Sequence, residues 1–109
     1  MSKISFNVSI APSAALDLVK HNQNADLVHE EYHIVGQDQL IGTQIYEKYY
    51  FRSKNRAALI VIIDNINGAT NVRAIATGSS EGFIFNFDWG AADDFASSVE
   101  NILSHYIIE

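Results

Sequence analysis

The sequence predicts an α+β fold, an antiparallel sheet of five to six strands with two helices on one face. Three observations lead there. Apolar and polar residues alternate strictly near the start of the chain. Short segments rich in β-branched and aromatic residues then follow one another, separated by brief turn signals. Over the last nineteen or so residues the apolar period changes from two to the helical 3.6. The 109 residues suffice for one domain, expected to span 1–109, with a core of ordinary size and no need of a staple.

Ile4, Phe6, Val8 and Ile10 alternate with Ser5, Asn7 and Ser9, the pattern of a half-buried strand. Pro12 suits a first helical turn. Ala15, Leu16 and Val19 recur at helical spacing, and Lys20 and His21 fall where cations complement the helix dipole, with Asn22 and Asn24 as stops. Leu27 to Val35 and Leu40 to Arg52 flank the turn signal Gly36-Gln37-Asp38-Gln39 and read as a hairpin. In the second arm Ile41, Thr43, Ile45, Tyr49 and Phe51 share one parity, interrupted by Glu47. After a turn at Ser53-Lys54-Asn55, the unbroken apolar run Ala57 to Ile63 reads as a central strand. A turn at 65–68 leads to a strand over Thr70 to Thr77, a loop over 78–82 and a last strand through Phe83, Phe85 and Phe87. From Ala91 onward Phe95, Val99, Ile102, Leu103 and Tyr106 make one apolar stripe. Asp93 and Asp94 are expected in the first turn of this helix and His105 in its last.

The resulting order, β-α-β-β-β-β-(β)-α, resembles the TATA-binding-protein-like topology and a trimmed helix-grip domain. The resemblance lies in topology and carries no function by itself. It would suggest nucleic-acid binding by analogy, but the net charge of −6 repels phosphate backbones, so no nucleic-acid partner is expected. The basic residues Arg52, Lys54 and Arg56 read as a solvated hairpin tip. No signal peptide and no membrane span are expected, because polar residues interrupt the N-terminal segment and the longest apolar run is too short. With no cysteine and no such signal, a cytoplasmic location is expected.

His29-Glu30-Glu31-Tyr32-His33 matches H-E-x-x-H, the pattern of zinc-peptidase helices. On a helix, residues four apart share a face about 6 Å apart, and two imidazoles can grip one ion while Glu30 serves as general base. On a strand the same two residues stand roughly 13 Å apart along the chain. The neighbours favour the strand. A helix here would strand the long segment after Gly36 without its sequential partner, and it would turn Glu31 toward the apolar arc. Third ligands for the zinc reading, Glu47 or Asp64, sit in no second motif. The expectation is therefore a non-catalytic chain with no cofactor, a zinc-dependent hydrolase using His29, Glu30 and His33 being the alternative. A two-ligand surface metal site on His29–Glu31 or Glu31–His33 is a weaker variant, set against a simple solvated cluster.

Other features have plain structural readings. The glycines and hydroxyls of residues 78–82 could offer amide donors to an anion, but they lack a phosphate-loop lysine. Asp88, Asp93 and Asp94 around Trp89 suit capping as well as a hard cation. Tyr46 and Tyr50 share a face opposite Tyr49. With Trp89 they are the candidates for contact with a small amphipathic ligand or a second subunit. The functional expectation is a small ligand-binding or protein-interaction module that associates with itself.

Overall fold

A computed structural model describes residues 2–51, 54–80 and 89–108. Strand β1, Ser2–Val8, leads into helix α1, Pro12–Asn22. Strands β2, Asp26–Gly36, β3, Gln39–Tyr50, β4, Asn55–Asp64, and β5, Thr70–Ser80, follow as a meander. Helix α2, Trp89–Ile102, a short 3-10 turn at Ser104–Tyr106 and a two-residue strand β6, Ile107–Ile108, complete the order. All pairings are antiparallel, and the six strands lie in the order β2-β3-β4-β5-β1-β6. The expected class is thus the observed one. Neither helix is long and apolar enough to cross a membrane.

The meander forms because each strand ends in a chain reversal. Gln37 and Asp38 make the β2–β3 turn, with Asp38 at φ 63°, a left-handed conformation that Asp tolerates through its short polar side chain. Gly68, at φ 96°, makes the β4–β5 turn, and its amide donates to the Asn65 carbonyl at 3.0 Å. Strand β1 lies beside β5, and β6 pairs with its other side, so the two terminal segments run next to each other. Ile107 and Ile108 pair there with Val8 and Asn7.

Pro12 opens α1, as its fixed φ favours, and the helix buries Pro12, Ala15, Leu16 and Val19. It stops at Asn22, whose side-chain amide donates to the Leu18 carbonyl at 2.8 Å, while the Gln23 amide caps the Val19 carbonyl at 2.9 Å. Helix α2 buries Ala92, Phe95, Ala96 and Val99, and Leu103 follows them into the core. Both helices lie on the same face of the sheet, against Leu59, Val61 and Ile63 of β4 and Val72, Ala74 and Ala76 of β5. Each large aliphatic side chain buried there contributes about 1.5–3 kcal/mol relative to exposure.

Three expectations need correction. Helix α2 starts two residues before Ala91, so Asp93 and Asp94 lie beyond its first turn, and His105 belongs to the 3-10 turn. The expected loop at 78–82 is strand through Ser80, because Gly78, Ser79 and Ser80 find ladder partners in Ala57, Arg56 and Asn55. Tyr106 leaves the helical stripe and is exposed, since the helix ends at Ile102. The expected strand at Phe83, Phe85 and Phe87 lies outside the described residues, as do Arg52, Glu81, Gly82 and Asp88.

One close approach fixes α1 on the sheet. A Cβ added at Gly42, in the middle of β3, would run into the Leu16 side chain. Leu16 is fully buried and has no free direction in which to yield. Gly42→Ala is therefore expected to lower unfolding stability by about 1–3 kcal/mol. In the same urea titrations, Gly42→Ala combined with Leu16→Ala should lose clearly less than the sum of the two single changes.

Candidate functional site

Strand β2 is one edge of the sheet and carries the H-E-x-x-H stretch in extended form. Successive side chains of a strand point to opposite faces. The pairing fixes which is which: His29, Glu31 and His33 stand opposite Ile45, Thr43 and Ile41, on the face that neither α1 nor α2 covers. Glu30 stands opposite Gln44, on the helix side. The general base of the zinc reading is thus separated by the sheet from both histidines.

On the open face the three residues form one hydrogen-bonded cluster. His29 Nε2 lies 2.7 Å from Glu31 Oε1, and His33 Nε2 lies 2.6 Å from Glu31 Oε2. Glu31 holds both imidazoles, one on each carboxylate oxygen, and those bonds hold its carboxyl below the ordinary range, His33 contributing most and His29 next. Among the described residues no set of three His, Asp or Glu side chains is arranged to hold a metal ion. Glu47 pairs instead with Arg56 at 2.8 Å, and Asp64 with Arg73 at 3.3 Å. The rest of that face is apolar at its centre. Ile45, Ile60 and Ile75 stand in register across three strands, between His29 on one side and Lys3 on the other.

On the helix side Glu30 joins a polar network that runs into the core. Its Oε1 receives a hydrogen bond from Lys20 Nζ at 3.0 Å and its Oε2 one from Gln44 Nε2 at 2.9 Å. The same Gln44 nitrogen donates to the Leu16 carbonyl at 3.1 Å, and Tyr46 donates its hydroxyl proton to Gln44 Oε1 at 2.8 Å. Gln44 and Tyr46 are fully buried. Hydrogen bonding from Tyr32, opposed by burial and aided by Gln44 and Lys20, holds the Glu30 carboxyl below its ordinary value. Desolvation, with Glu30 nearby, pushes Tyr32 and Tyr46 up to about 12, so both hydroxyls remain donors at neutral pH.

The ligand candidates are placed as follows. Tyr46 and Tyr50 share one face of β3, and it is the face that carries the helices. Tyr46 is in the core, with its hydroxyl engaged by Gln44. The Tyr50 ring meets Phe95 of α2 edge-on, 6.2 Å between centroids, and lies under Lys48 Nζ. Trp89 begins α2, and its side chain lies outside the described residues. An open groove of about 570 Å³ runs between the start of α1 and the β2–β3 turn, lined by residues that include Pro12, Ile34 and Leu40. Neither tyrosine contributes to it.

Sequence reasoning missed two features. One is Gln44, whose central role shows only when its parity with Gly42 and Tyr46 is recognised as the buried one. The other is the exposure of β2. Val28 is 59% exposed, Ile34 84% and Val35 56%, with Leu27 and Tyr32 also on the surface. An eleven-residue edge strand carrying this much exposed apolar surface is a ready template for another strand. The opposite edge, β6, has only two residues.

The family comparison matches residues 1–107 to a family of unknown function, DUF6054. The chain belongs to that family. No curated protein matches the chain. No solved structure matches it. DUF6054 membership thus adds no activity to what the residues themselves display.

Two outcomes follow from the network. Gln44→Leu leaves the buried Tyr46 hydroxyl without its acceptor and Glu30 with Lys20 but without its Gln44 donor, so unfolding stability should fall by about 1–3 kcal/mol, measured by chemical denaturation. Glu30 has a lowered folded-state pKa, so its contribution is complete above the ordinary value of 4.5 and is lost as pH falls through the lower folded value. Thermal melts taken on acidification should therefore fall less steeply for Glu30→Gln than for the unaltered chain.

Proposed function

We propose that the chain is a non-catalytic protein-interaction module that works by associating with copies of itself. The observation that carries this reading is the outer strand β2, where Val28, Ile34 and Val35 are more than half exposed along a sheet edge with which no described strand pairs. A monomer gains nothing by placing these side chains in water. A partner that covers them removes apolar area at about 25 cal/mol per Å² and pairs the outward backbone groups of the same strand.

Two further features support the reading. The isoleucine row Ile45, Ile60 and Ile75 makes a second apolar surface that neither α1 nor α2 covers. The H-E-x-x-H residues are spent on structure, with Glu31 holding both histidines and Glu30 tied to Lys20 and Gln44. The absence of cysteine suits a reducing cytosol, which is part of the proposal.

Light scattering coupled to size-exclusion chromatography tests the reading. Across micromolar to hundred-micromolar loading the expected mass is a multiple of the 12.1 kDa chain, tending to the monomer on dilution. A monomer at every concentration would contradict it.

A further inference from the structure

Strand β2 reads almost the same in both directions. From Leu27 to Val35 the order is Leu-Val-His-Glu-Glu-Tyr-His-Ile-Val, and its midpoint is Glu31. Reversed about that midpoint, apolar residues fall on apolar residues at both ends and histidine falls on histidine. Such an order is what a two-fold contact requires. In an isologous antiparallel pair, residue i of one copy meets j of the other while j meets i.

We infer that two copies of the chain join edge to edge through β2, antiparallel, with Glu31 opposite Glu31 of the second copy. This rests on the self-association reading above and names its surface and register. Within the stretch 28–34, Val28 then faces Ile34, His29 faces His33 and Glu30 faces Tyr32, each pair occurring twice.

The register follows from matching each side chain. Ile34, 84% exposed on the helix side, meets Val28 of the second copy, itself 59% exposed at the border of the regular stretch. Glu30 meets Tyr32 across the seam, a carboxylate opposite a hydroxyl donor. A shift of two residues one way sets Ile34 against the carboxylate of Glu30. A shift of two the other way sets Ile34 against Asp26. Either places a charge against apolar surface that is losing its water.

On the open face the two Glu31 carboxylates approach, which by itself is unfavourable. Each is already held between two imidazoles at 2.7 and 2.6 Å, and the pairing brings His29 and His33 of the two copies alongside one another around them.

The ladder also sets the limits of the seam. Irregularities between Leu27 and His29 and between Ile34 and Gly36 twist the two ends of β2, leaving the regular stretch in between for a partner. The helices do not obstruct it. Helix α1 packs on β3 and β4, so it sits inboard of the edge. A two-fold axis normal to the sheet keeps both helical layers on one side, and the isoleucine rows of the two copies then lie on one continuous open face.

The chain has no cysteine, so engineered cysteines report the register directly. Glu31→Cys is expected to form a disulfide-linked dimer on mild oxidation, because directly opposed Cβ atoms lie about 4.5–5.5 Å apart. His29→Cys and His33→Cys should each fail alone, being offset from their own copies by about 13 Å, and should cross-link when mixed. All three positions are exposed, and circular dichroism verifies that the variants fold. Ile34→Lys, acting twice per dimer, should weaken association by more than about tenfold. A dimer in which His33→Cys links to itself as fast as Glu31→Cys overturns the register and leaves self-association standing. A chain that stays monomeric throughout removes both.

Discussion

The alternation of side chains along β2 governs the rest of the molecule. Because the segment is extended, its adjacent acids serve opposite sides of the sheet. Glu31 gathers two histidines on the open face, and Glu30 reaches under the sheet to a lysine of α1 and a glutamine of β3. The same five residues wound as a helix would put both imidazoles on one face, close enough to share an ion. Backbone geometry thus changes the chemistry of the motif without changing a single side chain.

The polar network beneath β2 explains how an edge strand with so much exposed apolar surface is held in place. Gln44 is fully buried and connects three elements: the Leu16 carbonyl of α1, the Glu30 carboxylate of β2 and the Tyr46 hydroxyl of its own strand. Buried polar groups are costly unless satisfied, so this arrangement tolerates few alternative positions of α1 or β2. Gly42, one pair of residues away, allows α1 to approach closely enough for the amide of Gln44 to reach the helix backbone. The result is a hairpin fixed on its inner side and open on its outer side.

Much of the architecture was legible in the sequence because its signals are local. Period-two alternation in Ile4 to Ile10, the unbroken run at Ala57 to Ile63 and the stripe from Phe95 to Leu103 each report a burial pattern within one segment. What was not legible depends on neighbours far away in sequence. In β3 the more apolar parity, Ile41, Thr43 and Ile45, lies on the uncovered face, while Gly42, Gln44 and Tyr46 face the helices. Nothing in the strand itself announces this reversal, because it is dictated by the contact of Gly42 with Leu16. Strand β6 was equally hidden, being two residues that pair only because β1 is available. At the candidate site, the strand geometry of residues 29–33 could be read from the hairpin signals around it. The join of Glu30 to Gln44 and the exposure of β2 needed the sheet order.

Hydrogen exchange at residues 26–36 tests the account most directly, because every element of it requires β2 to be extended and bonded on both sides. Along an edge strand, alternate amides bond inward to β3 and the others point outward. Resolved amide by amide at high protein concentration, the whole of residues 28–34 should be protected. On dilution the outward amides should lose protection while the inward ones keep it. Outward amides that exchange freely at every concentration would contradict edge pairing, and a continuous helical protection pattern would contradict the extended strand itself.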